Sequence, residues 1–277
     1  MNATTNRWNF DAENNVYMPL PGSANPMQRL PAGAYTLGVG MAGPYAASVA
    51  LKDEELIAFE DGPGQEIMRE IHQFYGLQAR YAKLGVPYRR GVLMHGVPGT
   101  GKSGVVRMIC DQVIANDGLV ILVKRARDFT GWLPTLNQTE PSRHVVAVLE
   151  DLDEIYDHDE QECLQMLDGI GNDRPGLLFL ATTNFLSEIP SRIYRPSRFD
   201  LLIEVGAPSA SVREQYVRSL CERFEVGYRG DIVEASEGLS FAHLKEILVS
   251  CLLYDRSVEQ MVERMKTHAA QDEEDED

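Results

Sequence analysis

Apolar residues follow two rhythms along this chain, and the change between them divides it. Between residues 55 and 206, short apolar runs recur at Gly91–His95, Leu119–Val123, Val145–Leu149, Leu177–Thr182 and Leu201–Val205. Runs with so little polar alternation are expected of strands buried on both faces, as in a parallel sheet covered by helices. Amphipathic stretches separate them, so this region predicts an α/β domain. From 207 to 268 there is no strand signal. Instead Phe241, Leu244, Leu248, Cys251 and Leu252 recur at helical spacing, which predicts a small all-helical domain. Residues 1–54 are different again, with five Pro and five Gly in the first 45 positions, clustered at Met18–Gly22 and Gly38–Pro44. That density breaks long elements. It predicts an arm or a small β element, with Tyr35–Val39 and Ala47–Leu51 as a hairpin. Residues 269–277 read as an acidic, disordered tail.

Charge narrows the partners. The chain has 26 Lys and Arg against 42 Asp and Glu, a formal net charge of −16. Six of the acids form the terminal run Asp272–Asp277. The balance argues against nucleic acid as the main partner, because phosphate-backbone binding needs clustered cations. No stretch approaches the roughly 18 apolar residues of a membrane span, and the polar, acid-bearing start lacks a secretion signal. Cys110, Cys163, Cys221 and Cys251 are widely spaced and form no CxxC pair, as expected of reduced core thiols. The expected setting is cytoplasmic.

The strongest chemical signal is Gly96-Val97-Pro98-Gly99-Thr100-Gly101-Lys102-Ser103. It matches GxxxxGK[ST], follows a predicted strand and opens a predicted helix, the context the motif requires. The glycines let the backbone turn tightly and aim N–H groups at phosphate oxygens, and the helix adds its positive end. Lys102 is placed to bridge the β- and γ-phosphates of ATP, and the Ser103 hydroxyl to ligate Mg²⁺. Downstream, the strand Val145–Leu149 ends in Glu150-Asp151-Leu152-Asp153. Paired acids at a strand end are often solvated turn residues. Beside a phosphate loop, one can hold magnesium through its water shell and the next can activate the attacking water.

These residues, with four further segments, resemble the AAA+ ATPases, specifically the AAA subfamily, over about residues 57–250. Tyr81–Gly96 is similar to the approach to that family's phosphate loop, and Leu164–Gly171 to the helix after its acidic strand. Ala181-Thr-Thr-Asn184 resembles the sensor-1 strand, and Arg195-Pro-Ser-Arg198-Phe-Asp200 the RPGRFD box. The Arg-Arg-Gly before the loop and the Glu-Asp order resemble the branch containing the mitochondrial translocase of the Rieske protein. The resemblance implies a P-loop α/β sheet with a helical lid. It implies that Asn184 positions the lytic water. Arg195 and Arg198 would be arginine fingers acting on the neighbouring subunit's nucleotide, hence a homo-hexameric ring. The function it implies is remodelling or translocation of a protein client.

Some positions depart from the family pattern. The family's acidic pair reads Asp-Glu, and here it is Glu150-Asp151. Glu150 is assigned to magnesium and Asp151 to water activation, with an Asp base one methylene shorter. The alternative pair Asp153-Glu154 would bury Glu150 and Asp151 in the strand, at high desolvation cost, and is rejected. Gly238–His243 replaces the usual lid signature, and Lys245 stands nearby as a solvated or substitute lid cation. Where the family places a pore aromatic, this chain reads Arg127–Leu133, so Phe129 or Trp132 lines a pore or packs on the core. Asp61 and Gly62 occupy the place of the adenine-contacting turn. Two rival readings remain: a nucleotide-locked scaffold with little turnover, favoured by the Glu-Asp order, and a DNA-acting ATPase, favoured by Lys124, Arg125 and Arg127.

Overall fold

The computed structural model describes residues 8–19, 26–41, 43–51, 63–169 and 174–274. Its strands in chain order are β1 (Trp8–Asp11), β2 (Val16–Met18), β3 (Pro26–Met27), β4 (Gly33–Gly40), β5 (Gly43–Val49), β6 (Arg89–His95), β7 (Leu119–Leu122), β8 (Val145–Leu149), β9 (Leu177–Thr183) and β10 (Leu201–Glu204). The helices are α1 (Pro63–Gly76), α2 (Gln78–Leu84), α3 (Lys102–Ala115), α4 (Ala126–Thr139), α5 (Leu152–His158), α6 (Glu160–Asp168), α7 (Ala210–Arg223), α8 (Gly230–Ala235), α9 (Phe241–Tyr254) and α10 (Val258–Glu274).

All ten strands join one sheet in the order β10-β6-β9-β8-β7-β4-β5-β2-β1-β3. From β10 to β4 the pairings are parallel; beyond β4 they are antiparallel. This is the α/β sheet expected from the apolar runs, in the P-loop architecture that the resemblance implies. Strict alternation sorts the two faces. Val92, Met94, Val120, Val146, Val148, Leu178 and Leu180 pack beneath α1 and α3. Leu93, Leu119, Ile121, Val145, Ala147, Phe179 and Ala181 pack beneath α4 to α6. Each strand is therefore apolar on both sides, which is why its sequence reads as a continuous run. The helices from α7 to α10 bury a separate apolar cluster around Val217, Leu220, Leu244, Leu248 and Met261.

Of the two readings of the N-terminal region, an arm or a small β element, the described strands form the second, and they join the central sheet: β4 pairs in parallel with β7, Gly33 beside Leu119 and Tyr35 beside Ile121, and the β4–β5 hairpin extends it. A buried ionic network pins this extension. Glu140 accepts hydrogen bonds from Trp8 Nε1 (2.9 Å) and the Leu30 amide (2.7 Å). Arg143 reaches the Leu30 carbonyl and the Asp117 carboxylate (2.8 Å), and Arg174 donates to the carbonyls of Glu140 (2.6 Å) and Arg143 (2.8 Å). Burial pulls the Arg174 pKa down to about 10. The expected tail from residue 269 also begins as helix, since α10 continues to Glu274.

Candidate functional site

β6 lies between β10 and β9, and the chain leaves it through α3 to reach β7 on the far side of β9 and β8. The carboxyl end of β6 is thus a topological switch point, where open α/β sheets leave a crevice. The phosphate loop occupies it. Gly96, Gly99 and Gly101 take φ of 139°, 77° and 97°, in the region that disfavours side chains. A Cβ on Gly96 would stand 2.5 Å from the Val205 carbonyl oxygen. Val97 and Pro98 form the turn, and the Thr100 hydroxyl donates to the Val97 carbonyl at 3.0 Å. Lys102 opens α3 almost fully buried, its ammonium donating to the loop carbonyls of Gly96 and Val97. The loop therefore offers the glycine cradle, helix start and convergent lysine that fit a polyphosphate.

Ser103, Glu150 and Asp151 line one cavity of about 850 Å³ between α3, β7, β8 and α5. β8 ends at Leu149, so both acids emerge exposed just past the buried strand. Asp151 takes a left-handed backbone (φ 53°) at the junction with α5, and its amide faces Thr182 Oγ1 at 3.4 Å. Asp153, the rejected alternative, instead accepts a hydrogen bond from the Thr183 hydroxyl at 2.7 Å. A hydroxyl and two carboxylates at one cavity wall form the hard oxygen set that Mg²⁺ takes, usually with waters. The wall also carries Cys110, whose thiol pKa burial and the nearby Glu150 and Asp111 charges push up to about 12. Asn184 follows β9 half-buried, next to the strand that carries Asp151's neighbour.

The Arg195–Asp200 segment folds back onto β6. Asp200 accepts from the Gly91 amide (3.2 Å) and its own amide donates to the Gly91 carbonyl (2.9 Å). A Cβ on Gly91 would fall 1.9 Å from the Arg198 carbonyl oxygen, so only glycine permits this approach. Arg195 is exposed. Arg198 is held within this chain by Asp168 at the end of α6, with Nε–Oδ1 at 2.6 Å and an Nη2–Oδ2 bond of 2.8 Å. The sequence match contained Asp168 but gave no sign of this pairing, which joins residues 30 apart. On the opposite side, α9 begins against the phosphate loop: a Cβ on Gly99 would meet Ala242 at 2.7 Å, and one on Gly101 the Phe241 ring at 3.1 Å. Lys245, on the same helix, is exposed.

Other expected site residues lie elsewhere. Phe129 and Trp132 line no pore. Both are buried in α4, which is continuous from Ala126 to Thr139. Together with Leu133 and Leu136 they form a helical stripe on the sheet. Phe129 meets Phe179 edge-on (6.2 Å), while Trp132 stacks on Trp8 (6.2 Å) and donates Nε1 to the Gly38 carbonyl (3.0 Å). Asp61 and Gly62 lie outside the described residues.

Residues 92–207 match the model of the family described as "ATPase family associated with various cellular activities (AAA)". Similar proteins include the ATP-dependent zinc metalloprotease FtsH of Rhodococcus erythropolis, 28% identical over 80% of this chain and 29% of the relative. The mitochondrial chaperone BCS1 of Danio rerio is 27% identical over 54% of this chain and 39% of the relative. The proteasome-activating nucleotidase of Methanosarcina mazei is 25% identical over 70% of this chain and 51% of the relative. The chain spans between about a third and a half of the length of these relatives. Among the described residues, no helix is long and apolar enough to cross a membrane.

Proposed function

We propose that the protein is an AAA ATPase that binds and hydrolyses ATP with Mg²⁺ and uses the cycle to remodel or translocate a protein client as a homo-oligomeric, six-membered ring in the cytoplasm, a reading supported by the match of residues 92–207 to the AAA family. The observation that carries this reading is the phosphate loop at the switch point, with Ser103, Glu150 and Asp151 on the wall of one cavity.

The loop amides and Lys102 grip the β- and γ-phosphates, which aligns the reacting phosphorus and offsets its charge. Ser103 and Glu150 are the residues that hold Mg²⁺, which supplies further charge neutralisation at the phosphates. Asp151 accepts the proton of the attacking water, and Asn184 orients that water. The Asp base is shorter than Glu, so turnover is expected to be slow. Arg195 and Arg198 act on the nucleotide of the adjacent subunit, where a planar guanidinium stabilises the developing charge. For Arg198 that requires release from Asp168, so its pairing favours a subunit that is idle when alone. A protein client is favoured by the relatives, a mitochondrial chaperone, an ATP-dependent zinc metalloprotease and a proteasome-activating nucleotidase.

The deciding experiment is the Mg²⁺-ATPase rate per subunit across a protein concentration series, with Arg198→Ala and Asp151→Asn beside the wild type. A rate that climbs with concentration and collapses in both variants is expected. Wild-type turnover by Asp151→Asn would end the catalytic assignment. Tight ATP binding with a flat, near-zero rate would instead establish the nucleotide-locked scaffold, which the closed Arg198–Asp168 pair favours as the second reading.

A further inference from the structure

The basic residues Lys124 and Arg125 follow β7, and their placement gives them a use. β7 and β8 run in parallel register, with Leu122 beside Val148, and the Val123 amide extends the ladder by donating to the Val148 carbonyl at 2.8 Å. Lys124 and Arg125 thus leave β7 at the same end of the sheet at which Glu150 and Asp151 leave the neighbouring β8. Both cations line the same cavity as Ser103, Glu150 and Asp151. Neighbouring cations are already engaged: Arg107 with Asp111 at 2.9 Å and Arg127 with Asp159 at 3.1 Å. The side chains of Lys124 and Arg125 make no hydrogen bond or ion pair among the described residues, and both residues are exposed.

Charge balance then limits their role. The cavity wall carries four cations, Arg107, Lys124, Arg125 and Arg127, and four acids, Glu150, Asp151, Glu154 and Asp159. Before a metal ion is counted, the wall without Lys124 and Arg125 would hold an excess of two negative charges, and Lys102 does not line this cavity. A nucleic acid would need these cations on an open basic face, whereas here they stand beside the magnesium-side carboxylates of a net acidic protein.

We propose that Lys124 and Arg125 form a second cationic wall of the nucleotide site that binds the γ-phosphate end and so discriminates triphosphate from diphosphate in the same subunit. This rests on the ATP-binding reading above. It assigns to the β7 end a positioning role in the nucleotide's own subunit, separate from the arginines before β10.

The test is equilibrium binding, which needs no turnover. Affinities for fluorescent ATP and ADP analogues, and for base-free tripolyphosphate, are measured on the wild type, Lys124→Gln, Arg125→Gln and the charge-retaining Lys124→Arg. Both Gln variants are expected to lose about tenfold or more in ATP and tripolyphosphate affinity with less than twofold loss for ADP, and Lys124→Arg to recover most of it. Equal loss for ATP and ADP, or no loss, overturns the proposal. Unchanged binding with weakened self-association also overturns it, placing the cations at a contact between copies. Wild-type protein that binds neither nucleotide would sink the ATP-binding reading itself, a distinct result.

Discussion

Replacing Glu140 tests how the N-terminal strands are held. Glu140 is 2% exposed and lies under Trp8, Leu30 and Arg143. In Glu140→Ala, the Trp8 indole N–H and the Leu30 amide lose their acceptor, each costing about 1–3 kcal/mol as a buried orphan. Arg143, 4% exposed, keeps only Asp117, whose side chain is 61% exposed, as a charged partner. Breaking a buried ion pair costs about 3–5 kcal/mol. These terms overlap, so the expected loss is about 4 kcal/mol. At a urea m-value of about 2 kcal/mol/M, the midpoint falls by roughly 2 M. The assay is urea unfolding followed by tryptophan fluorescence. The protein has two tryptophans, Trp8 and Trp132, and they stack on each other at this site, so the signal reports the junction itself. Glu140→Gln retains a carbonyl acceptor but removes the charge, and should lose less. A change below 1 kcal/mol in Glu140→Ala would refute the idea that this network pins the N-terminal strands to the sheet.

Further outcomes follow from the same geometry. Lys102→Ala should abolish nucleotide binding in the same fluorescence titration while leaving the unfolding midpoint nearly unchanged. Phe129→Ala should destabilise the fold by about 3–5 kcal/mol, visible as a lower melting temperature; a variant of normal stability that fails only in client handling would contradict its buried position. Gly91→Ala should unfold the protein or displace the Arg198 segment, read as loss of both stability and ATPase rate. Cys110 and Cys163, both with pKa pushed up to about 12 by burial, stay protonated in the folded state while the unfolded chain ionises them near pH 9. Stability should therefore be full below pH 9 and fall above it, by about 1.4 kcal/mol per pH unit for each thiol until pH 12. Urea midpoints at pH 8 and 10, with Cys110→Ala and Cys163→Ala as controls, check the sign; a midpoint rising with pH would refute it.

The central strands and the phosphate loop were legible in the sequence because both are local. A strand covered on both faces has nowhere to place polar residues, so β6 to β9 announce themselves as apolar runs, and the loop's glycines, lysine and serine sit at fixed adjacent positions. The acids at 150 and 151 were legible for the same reason: β8 ends where burial ends. What joined distant segments was not. The β4–β5 hairpin was expected from Tyr35–Val39 and Ala47–Leu51, but its place in the sheet was not, because β4 pairs with β7 through residues roughly 85 apart in sequence. Phe129 and Trp132 have helical spacing that suits either a pore or a core. Only the position of α4 against β4 and β9 decides for the core, because that packing removes both rings from water. The Arg198–Asp168 pair, the Glu140 network and the meeting of Lys124, Arg125 and Ser103 at one cavity are likewise products of tertiary structure. Charged side chains are long and carry no periodic signature, so their partners are set by which backbone segments the sheet order brings together.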